Sequence, residues 1–197
     1  MANFTSFFRD RRNQHRSIAI ERLSEKARAS LIAHFLELPA RDRYLRFAST
    51  VTPQIIARYV DGIDFSRDAV FAVRPALVGD EGGGPLVGVV HTAFPDDVAE
   101  LGISVLPRYR GRGLASALAQ RAIAYARSRG MRALAMQLLR DNAPMLRIAR
   151  KLGMTIVGRG ADLFARLELL GRDRRLGSDL RDKFAWALLR SPSRLVH

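Results

Sequence analysis

Ile103-Ser-Val-Leu-Pro-Arg-Tyr-Arg-Gly-Arg-Gly-Leu-Ala-Ser116 carries an apolar strand through an arginine and glycine turn into the start of a helix. The first turn of a helix has backbone N–H groups with no intrahelical partner, and its positive dipole end favours an anion. Gly111, Gly113 and Ala115 have little or no side chain, so the main chain around Leu114 and Ser116 can approach a pyrophosphate closely. Arg108, Arg110 and Arg112 add charge-assisted donors. The stretch reads as a phosphate-binding turn.

Spacing decides which kind. A Walker loop ends in Gly-Lys-Ser/Thr, and no such ending follows here. A dinucleotide fingerprint needs a third glycine where Ser116 stands. What remains is Arg110-x-x-Gly113-x-Ala115, a spacing that Arg108-x-x-Gly111-x-Gly113 also satisfies. The later register leaves Val105-Leu106-Pro107 as strand end and turn.

Upstream of this turn, Ser17–Leu23 alternates as a first strand, and 1–16 reads as a basic, polar lead-in. Leu31, Ile32, Phe35 and Leu38 recur at helical spacing over 25–38, a helix that Pro39 ends. Thr52 caps a second helix with Pro53 at its first position and Gly62 beyond its end. Ala69–Val73 and Pro85–Phe94 are β-type runs joined by the glycine cluster of 79–84, and Val98–Val105 is the next strand. Downstream, Leu114–Arg129 is a helix with Leu114, Ala117, Leu118, Ala122 and Tyr125 on its apolar stripe. Arg132–Leu138 is a strand without a polar face, which predicts burial on both sides. Asn142 caps a further helix to Lys151, and Thr155–Val157 and Leu163–Leu169 close the sheet. Antiparallel strands followed by a strand-helix-strand unit predict an α/β fold with a mixed sheet and helices on both faces.

At 197 residues, 48% of them hydrophobic, the chain can bury the core of one domain. It has no cysteine, which excludes disulfides and thiolate chemistry and suits a reducing cytoplasm. His15, His34, His91 and His197 show no metal-ligand spacing, so no metal site is expected. His34 and His91 read as core-edge or surface residues. The N-terminus lacks the pattern of a signal peptide, and no apolar run is long enough to span a bilayer. The formal charge of +14 invites a nucleic-acid partner. Some of it lies in basic residues of the two ends, almost all arginine, without an interleaved aromatic motif, so a solvated basic surface is the favoured reading. The segment 178–190 carries a weak amphipathic pattern that fits docking on the domain, subunit pairing or a membrane surface. Monomer and homodimer remain open.

Arg110-x-x-Gly113-x-Ala115 and the order of elements resemble the GNAT acetyltransferase superfamily over 17–170, most closely from Glu100 to Met154. The resemblance implies a GNAT-like mixed central sheet with splayed fourth and fifth strands, here Val98–Val105 and Arg132–Leu138, with acetyl-CoA as co-substrate between them. It implies that backbone groups of Ile103, Ser104 and Val105 pair with the pantetheine arm and that Asn142 contacts the coenzyme. It also divides the chain into a basic lead-in (1–16), the N-acetyltransferase domain (17–170) and a basic, partly helical tail (171–197).

The stretch from Leu139 to Met154, together with Arg43-Tyr-Leu-Arg-Phe47, is similar to bacterial protein lysine acetyltransferases of the Pat type. That likeness implies Glu100 as general base. A lysine amine, pKa about 10.4, must lose a proton before it can attack, and a carboxylate in the cleft can take it. Many members of the superfamily carry a tyrosine, the acid for the departing thiolate, seven residues after the asparagine; here Ala149 stands there. A thiolate leaves readily, its thiol pKa being about 8.5, and Tyr125 on the core stripe is a poor replacement. The expected activity is acetyl transfer to a primary amine, foremost a protein lysine, by direct attack in a ternary complex. Acetylation of a polyamine, amino acid or antibiotic, or a CoA-sensing or nucleic-acid-binding module without turnover, are the alternatives.

Overall fold

A computed structural model describes residues 4–7, 17–75 and 84–170. Strands β1 (Phe4–Phe7) and β2 (Ser17–Arg22) lead into helices α1 (Arg28–Glu37), α2 (Ala40–Phe47) and α3 (Pro53–Asp61). Three antiparallel strands follow, β3 (Ala69–Val73), β4 (Gly88–Ala93) and β5 (Val98–Val105). Helix α4 (Leu114–Ser128) crosses to β6 (Ala133–Leu139), and α5 (Ala143–Lys151), β7 (Thr155–Val157) and β8 (Asp162–Glu168) complete the order. The sheet runs β1-β2-β3-β4-β5-β6-β8-β7, and among its pairings only β5 with β6 is parallel.

Two elements depart from the sequence reading. Strand β1 lies inside the stretch read as a lead-in and pairs with β2, Phe4 opposite Ile20. Between the two expected helices stands a third, α2. Pro39 does end α1, but the same residue is the N-cap of α2, where its carbonyl accepts from Arg43 N at 3.0 Å. Ala48, at φ 50, closes α2 in the left-handed region. The expected β-run over Pro85–Phe94 is a strand only from Gly88 to Ala93. Residues 79–83 of the glycine cluster, the expected C-terminal helix and the whole 171–197 tail lie outside the described residues.

The other caps follow the sequence. Thr52 accepts from Ile55 N at 3.3 Å with Pro53 behind it, and Asn142 accepts from Met145 N at 3.3 Å with Pro144 in the first turn. Helix α4 packs on β3, β4 and β5 through Ala117, Leu118, Ala119, Ala122 and Ala126, all fully buried. Alanines on that face let the helix axis sit close to the sheet. Side chains of even-numbered β4 residues face α4: a Cβ added at Gly88 would meet Leu118 Cδ1 at 3.1 Å. The opposite sheet face belongs to α1, α2 and α3, with α2 against β5 and β6. There Leu31, Phe35, Phe47 and Ile56 join the main core. In β6, residues Ala133 to Met136, Leu138 and Leu139 are buried, as expected for a strand covered on both sides.

Candidate functional site

Strands β5 and β6 share only one end. Their register runs Val98↔Ala133, Ala99↔Leu134, Glu100↔Ala135 and stops. Beyond it β6 stays paired with β8 and β5 with β4, so the two strands part with Glu100 at the fork. Which main-chain groups face the gap follows from strand alternation. Leu106 N donates to Val87 O at 2.9 Å, on the β4 side, so Ser104 and Gly102 direct their main-chain groups to β4 as well. Leu101, Ile103 and Val105 turn theirs towards the gap. Of the residues expected to make backbone contacts, Ile103 and Val105 direct main-chain groups to the gap, the Val105 carbonyl already accepting from Arg110, whereas the Ser104 main chain belongs to β4 and its side chain bonds His34.

The turn after β5 is shaped by its arginines. Arg110 Nε donates to Val105 O at 3.0 Å and its Nη2 meets Asp42 at 2.8 Å, which ties the open end of β5 to α2. Arg108 pairs with Glu37 at 2.7 Å, and Arg112 Nη2 donates to Arg108 O at 3.2 Å. Both guanidinium groups lie 5.3 Å from the Tyr109 ring centre. In this arrangement Arg108 and Arg110 are engaged by carboxylates and Arg112 by a carbonyl, beside the main-chain donors of the turn. Gly111 and Gly113 have φ of 73 and 80, the left-handed region that favours glycine, with nothing within 4 Å of a Cβ added at either. Gly113 is the N-cap of α4 and its carbonyl accepts from Ala117 N at 3.0 Å. The N–H groups of Leu114, Ala115 and Ser116 thus lack an intrahelical acceptor, and no side chain caps them. Open space over two glycines beside a row of unpaired amides fits a diphosphate.

Across the fork lies a cavity of ≈ 460 Å³, lined by α2, α3, β4, β5, β6 and the start of α5. Glu100 is half-buried in its wall. Asn142 lines it too; only 8% exposed, it caps α5 and faces the cavity at once. Ala149 is wholly buried, so no side chain from that position reaches the site.

The sequence left two polar groups unassigned that the fold draws into this face. His34 is 2% exposed, with Nδ1 2.8 Å from Leu86 O and Nε2 2.8 Å from Ser104 Oγ. A carbonyl only accepts, so Nδ1 carries the proton and the Ser104 hydroxyl donates to Nε2. Burial, with Arg46 nearby, lowers the imidazole to about 4 despite the Leu86 bond, and the ring is neutral at pH 7. The other group joins Arg46, Tyr59, Asp68 and His91, from α2, α3, the turn before β3, and β4. No local spacing links these four. They meet because the β4–β5 register sets His91 opposite Gly102, over which Arg46 lies.

No helix among the described residues is long and apolar enough to cross a membrane. No curated protein sequence matches the chain. Among solved structures, the GNAT domain of S. lividans PAT is similar with a TM-score of 0.65 at 21% identity, over 79% of this chain and 92% of that one. The Salmonella typhimurium protein yncA, solved with its cofactor acetyl-CoA, is similar at TM-score 0.59 and 18% identity, over 82% and 99%. Ribosomal-protein-alanine N-acetyltransferase from Brucella melitensis gives TM-score 0.59 at 20% identity, over 76% and 99%. At such identities the likeness is one of fold. The family model described as Acetyltransferase (GNAT) family matches residues 31–154, from α1 through the fork and the glycine turn to the end of α5. That span is more than half of the chain, so this protein belongs to the GNAT acetyltransferase family, an N-acetyltransferase that takes its acyl group from acetyl-CoA.

Proposed function

We propose that this N-acetyltransferase acetylates a lysine side chain of a protein, by direct attack of the amine on the thioester in a ternary complex. The observation that carries this reading is Glu100 at the fork, in a cavity that also holds Asp64 and Asp68 and is walled by Leu45, Phe47 and Met145. Carboxylates suit an ammonium head, and apolar walls suit its alkyl stem.

Acetyl-CoA supplies an activated acyl thioester. The residues proposed to hold it are Arg108 to Ser116 for the diphosphate, through the amides of Gly111, Gly113, Leu114, Ala115 and Ser116, and Ile103 and Val105 for the extended arm. Asn142, in the lining of the same cavity, is proposed to contact the coenzyme. A gap-facing N–H of β5 polarises the thioester carbonyl in this reading. Glu100 takes a proton from the ammonium, which frees the nitrogen lone pair. The nitrogen–carbon bond then forms and the carbon–sulfur bond breaks, its electron pair leaving on sulfur.

Arg46 and Arg67 in the same lining favour a second reading, in which the amine also carries an anionic group, as a free amino acid does. Release of the CoA thiol, measured with lysine peptides beside spermidine, free amino acids and an aminoglycoside, separates the two. Turnover of peptides well above the small amines is expected. Turnover confined to amino acids would replace the lysine reading by the second.

A further inference from the structure

A chain of hydrogen bonds at the acceptor end of the cavity has no part in the chemistry above. Asp68 Oδ2 lies 3.0 Å from His91 Nε2, and Tyr59 Oη lies 2.7 Å from His91 Nδ1. The same phenolic oxygen accepts from Arg46 Nη2 at 2.8 Å. A carboxylate accepts, so Nε2 of the neutral ring carries its proton and donates to Asp68. Nδ1 is left to accept from the Tyr59 hydroxyl. The bonds therefore have one direction, from tyrosine to imidazole to carboxylate, the layout in which a hydroxyl can hand its proton inward.

Packing fixes this chain in place. Tyr59 stands edge-on to Phe35, Phe47 and His91, with ring centres 5.7, 5.2 and 5.8 Å away. The Arg46 guanidinium lies over the Phe47 and Tyr59 rings at 4.9 and 5.6 Å. It fills the space above Gly102, where an added Cβ would collide with the Arg46 guanidinium. The side chains of His91 and Asp68 are 12% and 14% exposed. All four residues line the cavity that contains Glu100, and the charged groups facing them there are Asp64, Arg67 and Glu100. Burial alone would lower the pKa of His91, yet Tyr59 and Asp68 beside it carry it above its ordinary value. Burial would raise Tyr59, and Arg46 and His91 bring it below its own. Both shifts ease transfer between the phenol and Nδ1.

We propose that Tyr59, His91 and Asp68 form a second proton relay, which removes the proton that the acceptor nitrogen still holds once its bond to the acyl carbon has formed. The relay rests on the amine-acetylation reading. An alkylammonium sheds two protons in becoming an amide. Glu100 takes the first, before attack, and returns it to the departing thiolate. The second passes from nitrogen to the Tyr59 oxygen as the Tyr59 proton moves to His91 Nδ1. The imidazolium is held by Asp68 until it releases a proton to solvent. The sum is one ammonium and one thioester giving one amide, one thiol and one proton. Tyr59 is the catalytic residue of the three; His91 and Asp68 act through it.

The test compares wild type, Tyr59→Phe, Asp68→Asn and Glu100→Gln, with acetyl-CoA and both a lysine peptide and spermidine as acceptors. Tyr59→Phe keeps the ring packing, and its kcat is expected to fall about 100-fold while KM for acetyl-CoA holds. In Asp68→Asn the acid limb of the kcat profile moves to lower pH, because His91 loses the carboxylate that raises it. A Tyr59→Phe enzyme with wild-type kcat and pH profile overturns the relay; if Glu100→Gln is impaired in the same assays, amine acetylation by way of Glu100 still stands. A readout free of any acceptor is the nitrogen-15 spectrum of the neutral His91 ring. A proton on Nε2 agrees with the relay, and a proton on Nδ1 overturns it.

Discussion

His34 joins α1 to the segment before β4 and to β5, through the Leu86 carbonyl and the Ser104 hydroxyl, and burial keeps its ring uncharged. Its pKa falls from 6.5 to about 4, so between those values the unfolded chain takes up a proton that the folded chain refuses. Its contribution to stability is whole above pH 6.5 and is lost as pH falls through about 4. The full effect is about 3 kcal/mol. Urea unfolding across that window should show the decline, and His34→Gln should flatten it relative to wild type; equal slopes would contradict the assignment. Glu100 is a residue of another kind, placed at the end of the parallel pairing where the gap begins. Glu100→Gln should lower kcat at neutral pH by about 100-fold and leave acetyl-CoA affinity unchanged, because the role proposed for the carboxylate is at the amine and not at the diphosphate. Calorimetry with acetyl-CoA beside steady-state rates checks both halves. Ala149 shows why chemistry at one position does not transfer by motif alone: a fully buried alanine on α5, it can supply no acid.

At the level of elements, the glycine turn and α4 act as one unit. Gly113→Ala meets no neighbour, so its whole effect is backbone strain at φ 80 and a shifted amide row. It should cost about 1–2 kcal/mol in stability and weaken acetyl-CoA binding together, both measurable by thermal melting with and without the coenzyme. Asn142→Ala should lose about 1 kcal/mol from its cap alone. These termini were legible because their signals are local: Thr52-Pro53 and Asn142 with Pro144 satisfy the first turn of their own helices. Helix α2 was not legible, for the same physical reason turned around. Its eight residues, Ala40–Phe47, carry three arginines and bury only Phe47, so no apolar stripe marks it. It is held from outside, by Arg110 on Asp42 and by the Arg46 guanidinium against the Phe35 and Tyr59 rings. Strand β1 likewise gains its state from pairing with β2.

For the molecule as a whole, the fork and the turn predict that acetyl-CoA binds the folded state alone. At a hundred times its dissociation constant it should stabilise the protein by about 2.7 kcal/mol. A thermal melt that does not move under saturating acetyl-CoA would contradict the placement of the coenzyme. The sequence by itself determined the arginine and glycine turn before α4, the capped helices, the buried β6 and the mixed sheet, because each is written largely in neighbours a few residues apart. Only the tertiary structure decided where β5 and β6 part, that Ser104 serves His34 and β4 rather than the gap, and that Arg46, Tyr59, Asp68 and His91 share one wall. Those facts depend on strand register and on the seating of α2 and α3 over the sheet, and both are settled by long-range packing that no local spacing encodes.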